Sequence, residues 1–168
     1  MDDMKKVLKR FELGDMVAAY ITDADQHMEL MLYPLDMEYQ IRWDKQGKVD
    51  PLIQVWFDGD AVSSGFSAGH TSRNSATTEA FHFADCRVEE SDDEMVVTMR
   101  LRNQTGQSAD HIMSYDRNEK GIRIRSRIEN HGQESISLQM LSSFSIAGLT
   151  PFVTGDGEDR LRYHRFRS

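Results

Sequence analysis

Gly65-Phe66-Ser67-Ala68-Gly69 fits the pattern G-x-S-x-G, which in α/β-hydrolases sets a serine nucleophile on a strained turn between a strand and a helix. The residues that follow, His70-Thr71-Ser72-Arg73-Asn74-Ser75, are poor helix formers. The chain also lacks the alternating strand and helix units that would bring an acid and a histidine to Ser67. A hydrolase triad is therefore not expected. Six histidines, His27, His70, His82, His111, His131 and His164, are scattered without an H-E-x-x-H pair, and Cys86 stands alone. Neither a metal site nor a cofactor is expected. Carboxylates cluster at Asp58/Asp60 and Asp92/Asp93/Glu94, and a pair of acids can cleave a glycosidic bond. Asp58-Gly59, however, is a hairpin turn signal, and Ser91-Asp92-Asp93 reads as a solvated reversal. No catalytic residue is nominated.

The polar groups best suited to face a ligand are His70, Arg73 and Asn74, donors and acceptors on a glycine-flanked stretch able to read hydroxyls. They lie within Asp60–Glu79, a Ser/Thr/Gly-rich run with little periodicity, and long loops on rigid scaffolds carry function. The rival reading is a solvated crossover between sheets. Trp43 and Trp56 with Phe57 could stack on a sugar ring, although aromatic residues in strands more often pack in a core. Arg160, Arg162, Arg165 and Arg167 alternate with Tyr163, His164 and Phe166. This basic run reads as an edge strand or a segment docking on an acidic surface rather than a nucleic-acid stripe, because no RNP-like motif accompanies it.

These residues need a scaffold, and the period of the apolar residues describes one. Ile122, Ile124 and Ile128 alternate with Arg123, Arg125 and Arg127 in Gly121–Glu129, a strand with one wet face. Ile136, Leu138 and Met140 continue the alternation, and Asn130-His131-Gly132-Gln133 between the two segments predicts a tight reversal, making them antiparallel neighbours. Glu94–Arg102, with Met95, Val97, Met99 and Leu101 inward, and His111–Asp116 complete a meander of at least four strands. Ala18–Ile21, His27–Tyr33, Tyr39–Trp43, Leu52–Phe57 and Ala80–Glu89 read as further strands. Met4–Phe11 fits the helical spacing i, i+3, i+4, i+7, and a first strand with a basic edge fits it equally. Without long helices between the strands, the expected class is all-β, an antiparallel sandwich.

The 168 residues make one domain. With 28 acidic against 20 basic side chains and a net charge of −8, the field of the molecule repels nucleic acid and anionic membrane, so neither is expected as a partner. A single cysteine cannot form an intramolecular disulfide, and no apolar run is long enough to span a bilayer, so the expected location is cytoplasmic.

Leu141-Ser142-Ser143-Phe144-Ser145-Ile146-Ala147-Gly148-Leu149-Thr150-Pro151-Phe152, followed by Leu161-Arg162-Tyr163-His164-Arg165-Phe166-Arg167-Ser168, resembles the end of the N-terminal domain of glycoside hydrolase family 36, the α-galactosidase family. Gly65-Phe66-Ser67-Ala68-Gly69 with Arg73-Asn74-Ser75-Ala76 resembles the middle of the same domain, and the similarity runs from about Asp50 to Ser168. The resemblance implies a galactose-mutarotase-like β-supersandwich over residues 1–168, the N-terminal domain of a larger glycosidase. Its catalytic (β/α)8 barrel, with the two catalytic aspartates, would follow outside this chain. It implies a non-catalytic role: packing on that barrel, supporting a homo-oligomer, and meeting a galactoside only in the full enzyme. In some relatives a loop of this domain reaches the sugar pocket, the role for which His70, Arg73 and Asn74 are the candidates here.

Two other readings stay open. A free-standing carbohydrate-binding module would use Trp43, Trp56 or the 63–79 stretch. An aldose-epimerase-like enzyme would need a histidine acid and a glutamate base converging in a cleft.

Overall fold

The computed structural model describes residues 5–41, 49–61 and 75–146. They form an all-β architecture in three antiparallel sheets. The first is a meander of β1 (Lys6–Leu13), β2 (Met16–Thr22) and β3 (Met28–Pro34). The segment left open between helix and strand is thus a strand. Gly14, at φ +72°, sits in the tight turn that returns it to β2, a backbone conformation that side chains disfavour.

The second sheet pairs β4 (Val55–Phe57) with β9 (Leu138–Leu141). The third runs in the order β5 (His82–Glu90), β6 (Glu94–Arg102), β7 (Gln107–Asp116), β8 (Gly121–Asn130). The one α-helix among the described residues, α1, is the single turn Ala76–Glu79.

The expected alternation of β6 is observed: Met95, Val97, Met99 and Leu101 are buried, and the residues between them are not. They form a single apolar layer with Ala109, Met113 and Tyr115 of β7 and with Ala18, Tyr20, Met28 and Leu30 of the first sheet. Leu52, Ile53, Val55 and Phe81 belong to the same layer. Burying two sheet faces against each other is what a strand with a period of two requires. The isoleucines of β8 are only partly buried, because β8 is the last strand of its sheet.

The first sheet is also buried on its other face. Val17, Ala19, Ile21, Met31 and Tyr33 form a second cluster with Ile41, so every residue of β2 from Val17 to Ile21 is out of solvent. A strand covered on both faces has no polar face to supply, which explains its unbroken apolar run.

Three expectations are corrected. The segment Ser135–Met140 does not pair with β8. The chain leaves β8 at Asn130, the His131 N–H donates to the Gly106 carbonyl at 2.9 Å, and β9 crosses over to β4. The Asn-His-Gly sequence therefore marks where the chain turns, while pairing with the β6–β7 turn decides its direction. Tyr39 and Gln40 are not in a strand. They end a 3-10 helix over Leu35–Gln40 that starts after Pro34, the last residue of β3, and Glu38 in that helix accepts from Tyr33 Oη at 2.7 Å and from Arg10. Of Leu52–Phe57 only Val55–Phe57 is a strand.

Candidate functional site at the base of the 62–74 segment

His70, Arg73 and Asn74, together with the Ser67 motif, lie outside the described residues, as do Trp43 and the arginines after residue 159. What the structure describes is the base from which the candidate segment departs and to which it returns. The Ala76 N–H donates to the Ala61 carbonyl at 2.9 Å, so the two ends of the segment are bonded to each other. Within this base the hydroxyls of Ser75 and Thr78 are buried and hydrogen-bonded. Ser75 Oγ caps α1 by accepting from the Thr78 N–H at 3.0 Å, the usual work of an N-cap serine. Ser75 Oγ and Thr78 Oγ1 both donate to the Val55 carbonyl, and Thr78 Oγ1 accepts from the Val55 N–H at 2.9 Å. Thr77 Oγ1 donates to Asp60 Oδ1 at 2.9 Å. Two hydroxyls thus take the place of a neighbouring strand at β4.

A second set of contacts holds the same base from the far side. His27 Nδ1 lies 3.0 Å from Asp23 Oδ2, and its Nε2 lies 3.0 Å from the carbonyl of Glu79, the last residue of α1. The His82 ring stacks on the His27 ring with centroids 4.8 Å apart. His82 Nδ1 is 2.7 Å from the Asp25 carbonyl, and the Phe83 N–H donates to the Gln26 carbonyl at 2.8 Å. The turn between β2 and β3 is thereby fastened to α1 and to the start of β5. Trp56 alternates with Val55 and is partly exposed, with Met140 as its partner across β4 and β9. An aromatic residue therefore stands beside this base.

The acid and base that an epimerase needs do not meet among the described residues. His111 projects into the dry layer from β7, wholly buried, with Tyr20 Oη 3.2 Å from its Nδ1. Burial pushes its imidazole down to about 4. The one buried glutamate among the described residues, Glu29, belongs to the opposite face of the first sheet, two residues from Met31 of the second cluster. It is bound there by Lys5 Nζ, 2.7 Å from both carboxylate oxygens, and by the Asp50 N–H. A sheet separates the two groups. Asp58 and Asp60 occupy the turn after β4, with the Asp60 N–H donating to the Phe57 carbonyl at 3.1 Å. Ser91 closes the β5–β6 hairpin on Glu94. Both acidic clusters therefore do turn chemistry. Among the described residues no three His, Cys, Asp or Glu side chains are grouped to hold a metal, and no helix is long and apolar enough to cross a membrane.

Sequence reasoning missed an ionic network on the outer face of the four-stranded sheet. Asp110, almost wholly buried, receives Arg100 through Nε at 2.7 Å and Nη2 at 2.9 Å, and Arg127 Nη2 at 2.6 Å. Hydrogen bonds from Arg100 hold its carboxyl below the usual carboxylate range. The available signal was the alternation itself: Arg100 and Arg127 both fall on the wet positions of their strands, and the register sets both opposite Asp110. No protein family, characterised protein or solved structure matches this chain.

Proposed function

We propose that this chain is the non-catalytic β-sandwich domain of a family 36-like α-galactosidase, packed on a catalytic (β/α)8 barrel, with His70, Arg73 and Asn74 as the candidates to meet the sugar. The observation that carries the reading is the bonded base at Ala61 and Ala76, fixed on β4 by buried hydroxyls. Such a base presents a segment rich in polar side chains from a rigid scaffold. The resemblance of residues 141–152 and 161–168 to the end of such a domain supports a scaffold role. Hydrolysis of a terminal α-galactoside would belong to the barrel's two aspartates. On this reading the sandwich is of the galactose-mutarotase-like type.

Calorimetric titration with galactose, melibiose and raffinose tests it. The isolated chain is expected to give no binding heat. Saturable binding that Trp56→Ala abolishes would replace the docking domain with a free-standing carbohydrate-binding module.

A further inference from the structure

The outer face of the four-stranded sheet carries a row of alternating charge that runs from one edge to the other. Asp85 of β5 is in register with Arg100 of β6, Arg100 with Asp110 of β7, and Asp110 with Arg127 of β8. The row opens on an exposed carboxylate and closes on a guanidinium that is half exposed. Among the described residues neither β5 nor β8 has a second strand beside it.

The two edges differ in sign. On this face β5 presents Asp85 and Glu89 against Arg87, whereas β8 presents Arg123, Arg125 and Arg127 against Glu129. Both also leave apolar inner-face residues short of full cover: Val88 is 44% exposed, and Ile122, Ile124 and Ile128 are only partly buried.

We propose that β8 of one copy of this chain pairs with β5 of a second copy, extending the sheet head to tail. Keeping the inner faces on one side makes the new pair antiparallel, because β5 and β8 run in opposite directions within the sheet. Placing Asp85 of the second copy opposite Arg127 continues the alternation without a break. The same register sets Glu89 opposite Arg123 and Val88 opposite Ile124, while Arg87, set opposite Arg125, keeps its own Glu89. A two-fold pairing of β8 with itself opposes arginine to arginine across the middle of the strand, and like charges directly opposite destabilise a strand pair. A two-fold pairing of β5 with itself sets Arg87 opposite Glu89 but leaves the arginine edge of β8 without a partner. The contact is therefore heterologous. It stands on the edges of the sheet alone and does not depend on the catalytic partner proposed above.

Sedimentation velocity on the 168-residue chain and two charge-reversal variants tests it. The wild-type mass is expected to rise above the 19.3 kDa of one chain as concentration increases at low salt, and to return to it at high salt. Glu89→Arg and Arg123→Glu, each alone, should stay at the single-chain mass. Their equimolar mixture should recover at least a doubling, since each variant then meets an edge of opposite sign. A wild-type chain that sediments as one copy throughout overturns the proposal, as does a mixture that fails to associate where the wild type does. Circular dichroism on both variants verifies that these exposed positions leave the fold intact.

Discussion

Tyr20 Oη lies 3.2 Å from His111 Nδ1 in the middle of the dry layer, joining β2 of one sheet to β7 of the other by a polar bridge in an apolar core. The other ring nitrogen of His111 finds no hydrogen-bond partner among the described residues. A buried polar network that is only partly satisfied is costly, and here the cost depends on pH.

Burial lowers the His111 imidazole from 6.5 to about 4. Between those values the unfolded chain binds the proton and the folded chain does not, so stability falls as the pH is lowered through that window. The loss is on the order of 3 kcal/mol across the full range. His111→Gln keeps a partner for Tyr20 and cannot take up the proton, so urea unfolding of this variant should be flatter between pH 6.5 and 4.5. A slope equal to that of the wild type would remove His111 from the account.

The network at Asp110 gives an asymmetric expectation. Asp110→Ala leaves two guanidinium groups without their shared carboxylate and should cost about 3 kcal/mol, whereas Arg127→Ala, removing a half-exposed partner, should cost under about 1 kcal/mol. Equal losses in a thermal melt would show that the carboxylate's burial is unimportant.

Register has its own test. Met113→Asp places an unpaired charge among fully buried side chains and should unfold the domain, and Ile124→Asp, on the edge strand opposite it, should cost less. Arg125→Asp on the outer face should shift stability by about 0.5 kcal/mol or less. Comparable melting temperatures for Ile124→Asp and Arg125→Asp would mean that the two faces of β8 are exchanged.

Ser75 supports the candidate site from beneath. Ser75→Ala removes the cap of α1 and one of two hydroxyls on the Val55 carbonyl, at a cost of about 1–2 kcal/mol. Amide exchange should quicken at Thr78–Phe81 while β6 and β7 keep their protection. Uniform acceleration across the sheets would contradict a local base.

β6 and β8 were legible because their apolar residues alternate with more exposed ones, which a period of two records directly, whereas the first half of β7, Gln107–Asp110, is polar yet buried and carries no such signal. β2 was legible for the opposite reason, since burial on both faces leaves an unbroken apolar run from Val17 to Ile21. The partner of β9 was not. Asn130-His131-Gly132 specifies a reversal, but the β6–β7 turn captures His131 and sends the chain to β4, a contact between residues far apart in sequence. Tyr39 and Ile41 look like strand residues by type, yet Pro34 ends β3 and the Tyr33–Glu38–Arg10 contacts favour a 3-10 turn. At the candidate site the sequence offered His70, Arg73 and Asn74, while its described foundation is Ser75, Thr77 and Thr78, hydroxyl residues that read as ordinary loop composition until Val55 is placed beside them.

Polarimetry of freshly dissolved α-galactose and of melibiose, with the chain at high concentration, tests the scaffold role most directly because it detects both ring opening and glycoside hydrolysis. The account predicts rotation curves identical to those in buffer. A change in rate that grows with protein concentration and survives repurification would contradict it.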